Sequence, residues 1–145
     1  MDAYVTNKVD YGYTSLEDAF PDVDPGVEPL GSRVLVQLRS AKTRTKGGII
    51  LTQEVQETDQ WNTQVAVVRA VGPIAFRNRN TMEQWKEGAW VGVGDYVRVP
   101  KYGGDRWSVK IAEDGGQREV LFILFNDLDL IGKVVGSPLE MRAFI

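Results

Sequence analysis

The residues that could perform acid–base, nucleophilic or metal chemistry are few in this chain. Its 145 residues include no histidine and no cysteine, so the commonest general base, the commonest metal ligand and every thiol are absent. The remaining candidates for a general base are carboxylates such as Asp95, Asp105 and Asp127, and a turn or a cap explains each of them. The sequence therefore predicts a protein that is not an enzyme, without catalytic residues, a metal site or a cofactor.

A segment of mixed basic and aromatic residues could bind single-stranded nucleic acid. It contains Lys101, Tyr102, Arg106 and Trp107, and on a β-barrel such side chains stack on bases and neutralise phosphates. A net charge of −3 and a pI near 5.0 provide no dominant basic field, however, and a turn with a half-buried aromatic pair explains the same residues. We predict no nucleic-acid partner; the alternative functions are a nucleic-acid-binding barrel or a viral structural module.

The third candidate is a short aliphatic triplet, Ile49-Ile50-Leu51, which follows Gly47 and Gly48. Adjacent glycines are costly inside a strand and indicate a turn or a hinge. The residues after the triplet are mainly polar, so it lies in a long loop. From these residues alone, the triplet is either the start of a core strand, which is commoner for a short apolar run, or an exposed segment kept for a partner.

Composition predicts one globular domain, because 43% of the residues are apolar and 26% are charged. No apolar run approaches the roughly 20 residues that cross a bilayer, and the acidic N-terminus does not resemble a signal peptide. We therefore expect no membrane partner and a cytoplasmic location. Residues 1–28 contain seven acidic residues and one lysine, which indicates an appended segment that is mobile or docked only weakly. The spacing of Thr14 and Glu17 is that of a capping box, so one short helix can begin there.

The elements that must position these residues are strands. Alternating and branched apolar residues from residue 29 onward predict an all-β fold, a small barrel or sandwich. The run at 120–125 is almost wholly apolar, so it must be buried on both faces or at an interface. The predicted strands are 33–38, 65–71, 96–99, 107–111 and 120–125, with a last short strand or turn at 128–131, a long loop at about 39–62 and a hairpin excursion at about 74–90.

Five segments follow one another along the chain: PLGSRVLV at 29–36, KGGIILT at 46–52, AVGP at 70–73, VGVGDYV with PKYGG at 91–104, and VLFILFNDLDLI at 120–131. In this order they resemble the motifs of the GroES-type co-chaperonins, the ring-shaped lids of large chaperonins. The resemblance implies a small irregular β-barrel spanning 29–132, with a tail at 133–145. Ser32 departs from the usual acidic residue of the first motif, and Ile74 replaces a second glycine after the third. The acidic head and the tail have no counterpart in ordinary members, which resembles virus-encoded co-chaperonins more than a housekeeping bacterial copy.

The resemblance implies a homo-oligomeric ring of seven subunits. In such a ring the opening strand of one subunit pairs with the closing strand of its neighbour, a heterologous contact that closes by rotation. The excursion at 74–90 would form a roof near the ring axis. The implied interface residues are Val34, Val36, Val120, Phe122, Ile123 and Leu128.

The resemblance also implies a mobile loop that binds a GroEL-type large chaperonin ring. Gly47, Gly48, Ile49, Ile50 and Leu51 would be the chaperonin-binding residues, with the aliphatic side chains inserted into a hydrophobic groove. ATP binding and hydrolysis would belong to the chaperonin. The implied function is to cap the ATP-bound ring and to enclose substrate proteins while they fold.

Overall fold

Six strands account for most of the regular structure in the computed structural model, which describes residues 12–40, 64–113 and 116–141. Branched and aromatic side chains dominate these strands, as expected for residues that pack on a pleated surface. A short 3-10 helix, Asp127–Asp129, follows the fifth strand. The elements are α1 (Leu16–Ala19), β1 (Arg33–Leu38), β2 (Val65–Val71), β3 (Tyr96–Arg98), β4 (Asp105–Glu113), β5 (Gly116–Asn126) and β6 (Gly132–Lys133).

All six strands form one antiparallel sheet in the order β4-β5-β1-β2-β3-β6. β1 lies at its centre, between β5 and β2. β4 is longer than predicted. Where we predicted a last short strand or turn at 128–131, the 3-10 helix occupies residues 128 and 129, and the last strand is 132–133. The prediction of a small all-β barrel fold is confirmed.

The main core lies on one face of the sheet. Successive side chains of a strand point to opposite faces, so Val34, Val36 and Leu38 of β1 enter this core while Leu35 packs in a second cluster on the other side. Phe76 from the excursion after β2 also belongs to the main core. Side chains of β1, β2, β3 and β5 therefore share one apolar interior.

The apolar run of β5 is buried on both faces within the single chain. Val120 and Phe122 join the cluster of Leu35, whereas Leu121 and Ile123 join the main core. β5 pairs with β4 on one side and with β1 on the other. Of the two explanations predicted for this run, burial on both faces is the one observed.

Two local features of β2 determine how its end meets β1. The register between the strands shifts so that Arg69 has no partner on β1, and such a bulge redirects the side chain of the extra residue. At Gly72, a Cβ atom would lie 2.3 Å from the Gly31 carbonyl oxygen and 2.8 Å from that of Arg33. The glycine of the AVGP motif is therefore required by the close approach of two backbones.

Within the N-terminal segment, which we expected to be mobile or docked only weakly, residues 13–25 contact the sheet. α1 begins one residue later than the predicted capping pair, because the Ser15 side chain accepts a hydrogen bond from the Asp18 N–H at 3.1 Å. The Asp18 carboxylate in turn accepts from the Thr14 N–H at 3.0 Å. Ser15 and Asp18 thus hold the N-terminus of the helix through two hydrogen bonds, similar to a capping box.

Side chains of the sheet donate hydrogen bonds to several main-chain carbonyl groups of this segment. These carbonyl groups need such donors because the segment forms little regular structure of its own. Arg118 also forms an ion pair with Asp18, at 3.7 Å, and donates to its main-chain oxygen. The docking therefore rests on specific donors that local sequence patterns do not reveal. The other donors are Arg69 to the Phe20 oxygen at 3.0 Å, Gln37 to the Pro21 oxygen at 2.8 Å, and Trp107 to the Pro25 oxygen at 2.9 Å.

Candidate functional site: loop root and excursion

The predicted chaperonin-binding residues Gly47, Gly48, Ile49, Ile50 and Leu51 lie outside the described residues, and their role stays a prediction. The structure does define where the chain enters and leaves this region. The Arg39 N–H donates to the Val65 oxygen at 2.9 Å, and Leu38 pairs with Ala66. Residues 41–63 therefore connect the ends of two adjacent antiparallel strands, and we call residues 39–40 and 64–65 the loop root.

The second end of the loop root is also fixed by hydrogen bonds. The Val99 N–H donates to the Gln64 main-chain oxygen at 2.9 Å, and the Gln64 side chain donates to the Val99 oxygen at 3.1 Å. Arg98 reaches the Gln64 side-chain oxygen at 3.5 Å, and partial burial lowers the pKa of the Arg98 guanidinium from its ordinary value. Hydrogen bonds thus hold the main chain on both sides of the loop root.

The excursion between β2 and β3 forms a small aromatic cluster. Its hairpin is closed by an isolated bridge between Arg77 and Gln84. The rings of Trp85 and Trp90 lie 5.1 Å apart, and Phe76 packs 5.8 Å and 6.0 Å from them, respectively. Such tilted and edge contacts stabilise the excursion beyond simple burial. Through Phe76 and Trp85 the aromatic cluster of the excursion is continuous with the main core.

Trp90 also carries a polar contact at the outer side of this cluster. Its indole N–H donates to the Glu87 carboxylate at 3.1 Å. This hydrogen bond favours the charged form and holds the pKa of the Glu87 carboxyl below its ordinary value. Trp90 is thus held by both its ring contacts and its N–H.

Asp127 joins the excursion to the end of β5. Its side chain is 1% exposed, accepts the Phe76 N–H at 2.8 Å and forms an ion pair with Arg79. It also accepts from the N–H of Leu128 at 2.9 Å. A buried carboxylate with these three donors is structurally occupied, so Asp127 is an anchor and not a general base.

The six residues predicted to form the subunit interface fall into two groups. Leu128 is 64% exposed. The other five are fully buried in one chain, because β1 and β5 pair with each other within it. The burial of these five therefore needs no second copy, and their role at a subunit interface stays a prediction. They are Val34, Val36, Val120, Phe122 and Ile123.

The basic and aromatic segment is occupied by contacts within the chain. The Trp107 ring stacks on Phe122 with centroids 5.9 Å apart. Arg106 donates to the main-chain oxygens of Gly103 at 2.9 Å and Lys101 at 3.1 Å. Of the four candidate residues, Arg106 thus bonds to the turn before β4 and Trp107 packs on β5, whereas Tyr102 is 78% exposed.

Asp95 and Asp105 are the other two carboxylates that we considered as general bases. Asp95 accepts the Gly92 N–H at 2.9 Å and lies 3.5 Å from the Lys133 ammonium group, while Asp105 is the first residue of β4. Within the three described ranges, no three acidic, histidine or cysteine side chains could hold a metal ion. The described part of the chain also contains no helix that is long and apolar enough to cross a membrane.

Comparison with known proteins identifies the family. The model of the family described as "Chaperonin 10 Kd subunit", Cpn10, matches residues 26–134. The chain belongs to the Cpn10 family. The GroES-type resemblance of its motifs is confirmed, and with it a co-chaperonin role; members of this family are not enzymes.

Curated relatives of this Cpn10 chain come from animals and bacteria. The "10 kDa heat shock protein, mitochondrial" of Oryzias latipes is 36% identical over 107 residues, 74% of this chain and 92% of the relative. The human protein of the same name is 36% identical over 74% of this chain and 89% of its own length. "Co-chaperonin GroES" of Clostridium beijerinckii is 36% identical over 66% of this chain and 87% of its own length. No solved structure matches this chain.

Because these relatives include mitochondrial and bacterial proteins, the predicted cytoplasmic location stays a prediction. The comparisons also leave the virus-encoded origin as a prediction. The matched range leaves out residues 12–25 and 135–141, which the structure nevertheless packs on the sheet. Sequence reasoning missed the role of these residues, because their main-chain carbonyl groups accept hydrogen bonds from side chains far away in the chain.

Proposed function

We propose that this Cpn10 chain is the lid subunit of a GroEL-type chaperonin, and that it caps the ATP-bound ring and encloses substrate proteins for folding. The family match over residues 26–134 carries this proposal. The loop root supports it, because a loop that leaves and re-enters at adjacent strands can be presented from a rigid sheet. ATP hydrolysis belongs to the chaperonin in this proposal.

The chaperonin-binding element of the proposal is the aliphatic triplet with its two glycines, 47–51. Burial of Ile49, Ile50 and Leu51 in a groove contributes about 1.5–3 kcal/mol each. Ordering several loop residues costs about 1–2 kcal/mol apiece and offsets most of this gain. A single loop would therefore bind weakly, and a ring of identical loops would bind tightly through avidity while each contact remains easy to release.

The ring contact of the proposal uses exposed aliphatic residues rather than the buried faces of β1 and β5. Leu128 and Ile131 are 64% and 63% exposed and flank the last turn before β6, and Leu30 and Val135 are more exposed still. Large exposed aliphatic side chains near both ends of the matched range are typical of a surface that a second copy covers. We propose a homoheptamer, whose heterologous contacts close by rotation.

Native mass spectrometry of the full chain, alone and with a GroEL-type chaperonin and ATP, tests this function. We expect a seven-subunit ring that forms a complex with the chaperonin only when nucleotide is present. A ring that never joins the chaperonin would contradict the lid function and favour a viral structural module. Binding to single-stranded oligonucleotides in a parallel titration would instead favour the nucleic-acid alternative.

A further inference from the structure

The N-terminal segment reaches the loop root through two hydrogen bonds. The Tyr13 hydroxyl donates to the Ser40 main-chain oxygen, and the Ser40 N–H donates to the Ala19 oxygen at 2.8 Å. Both main-chain groups of Ser40 are therefore bonded to residues that precede the matched range. Ser40 lies two residues beyond the end of β1, so these bonds hold the main chain at the first side of the loop root.

The C-terminal segment holds the adjacent residue, Arg39. This side chain is only 2% exposed, and its Nη1 donates to the Pro138 oxygen at 3.0 Å and to the Met141 oxygen at 2.7 Å. The guanidinium also lies 5.8 Å from the centre of the Tyr13 ring. A buried arginine thus contacts both terminal segments at one point, where desolvation strengthens its hydrogen bonds.

An apolar cluster lies beneath these polar contacts and includes the second strand of the loop root. Ala19 and Phe20 from the N-terminal segment pack with Val65 and Val67 of β2. Tyr13, Leu139 and Met141 cover this cluster. The two terminal segments therefore bury the same patch, and removal of one exposes part of the surface that the other packs against.

We propose that residues 13–20 and 138–141 form a clasp on the loop root that regulates the chaperonin-binding loop. When the clasp is closed, the main chain of Ser40 and the guanidinium of Arg39 are bonded to the two terminal segments. When it opens, Ser40 loses both main-chain bonds and the Arg39 side chain loses its bonds to Pro138 and Met141, so more of the chain next to the loop must be ordered on binding and affinity falls. The effect on capping rests on the proposed lid function, whereas the clasp itself can be measured without a chaperonin.

Amide hydrogen exchange of the full chain tests whether the clasp controls the loop root. Phe20→Ala removes the largest apolar contact of the N-terminal segment, so we expect the Ser40 amide to exchange on the order of 100-fold faster. Tyr13→Phe, which removes one hydrogen bond, should accelerate it on the order of tenfold. The matched control is Leu16→Ala, because Leu16 lies on the same segment but is 44% exposed.

The amide of Gly72, which donates to the Arg33 oxygen at 2.8 Å, is the internal reference. Its protection should be the same in all variants if the sheet stays folded. Unchanged exchange of Ser40 in both Phe20→Ala and Tyr13→Phe would overturn the clasp. Equal acceleration of Ser40 and Gly72 in the milder variant Tyr13→Phe would also overturn it, because the contact would then belong to global stability.

Cooperation between the two ends is tested with Leu139→Ala and the double variant. Since Leu139 and Phe20 pack in one cluster, the acceleration of Ser40 in the double variant should be smaller than the product of the two single accelerations. A purely multiplicative result would show that the two segments act independently, which contradicts a single clasp.

The regulatory consequence is tested by titrating assembled rings with a GroEL-type chaperonin and ATP. We expect Phe20→Ala to weaken capping about tenfold or more and Leu16→Ala to leave it unchanged, because only the former opens the clasp. Faster exchange of Ser40 with unchanged capping would overturn the regulation. If the wild-type ring does not bind, the proposed lid function fails, while the exchange data still decide whether the clasp exists.

Discussion

At the scale of single residues, Asp127 shows how a residue that resembles a catalytic carboxylate is used for structure. Asp127→Asn keeps the shape of the side chain but removes its negative charge, so Arg79 loses its ion partner. It also replaces one accepting carboxylate oxygen by an NH₂ group, which can only donate. Arg79 is partly exposed, so solvent compensates some of this loss, and we expect unfolding to become easier by about 1–3 kcal/mol. Urea denaturation measures the change.

The matched control for this substitution is Asp129→Asn in the same 3-10 helix. Asp129 is exposed, so its substitution should change the free energy of unfolding by less than about 0.5 kcal/mol. Equal effects of the two substitutions would contradict the anchor role of Asp127.

Gly72 gives a second prediction at this scale. Gly72→Ala places a methyl group against two backbone oxygens that cannot move independently of the β1–β2 contact, so we expect a loss of about 1–3 kcal/mol in the free energy of unfolding. Gly92→Ala is the control, since no atom lies within 4 Å of the position of its Cβ. Thermal unfolding of both variants should separate them, and indistinguishable melting temperatures would contradict the close approach.

At the scale of elements, the central position of β5 changes what a charge in this strand would test. Ile123→Asp puts an unpaired charge into the core of one chain, which costs several kcal/mol, so the subunit itself should unfold. Far-UV circular dichroism should detect this loss even at concentrations where no ring forms. A folded Ile123→Asp monomer would contradict the burial of β5 within the subunit.

The exposed Leu128 is the better probe of assembly. Leu128→Asp should leave the subunit folded and change its free energy of unfolding by less than about 0.5 kcal/mol. It should nevertheless break the proposed ring contact. Native mass spectrometry is expected to show monomers instead of a ring, with an unchanged circular dichroism spectrum. A ring of full mass would exclude Leu128 from the contact.

At the scale of the whole molecule, the proposed lid function depends on the aliphatic triplet. Ile50→Asp should leave the ring intact and abolish capture by the chaperonin, because several loops each lose about 1.5–3 kcal/mol and the losses add through avidity. Val55→Asp is the control, since it changes another apolar residue between β1 and β2 outside the triplet. Co-migration with chaperonin and ATP measures capture, and capture of the Ile50→Asp ring would favour the core-strand interpretation of the triplet.

The sequence by itself determined the class of the fold and the family. Alternation in β1 and the glycines at turns are local patterns, and local patterns predict strands and motifs well. It also identified Gly72 through its motif, although the physical reason for that glycine is a contact with Gly31 and Arg33.

Only the tertiary structure decided which surfaces these elements share. Three of these contacts join residues that are far apart in the chain. They are the pairing of β1 with β5, the anchor at Asp127, and the contact of both terminal segments with Arg39. Such contacts depend on which donors and apolar faces the folded sheet brings together, and no local periodicity encodes them. For this reason the terminal segments, which have few patterned residues, could be recognised as part of the fold only from the hydrogen bonds and the cluster that they complete.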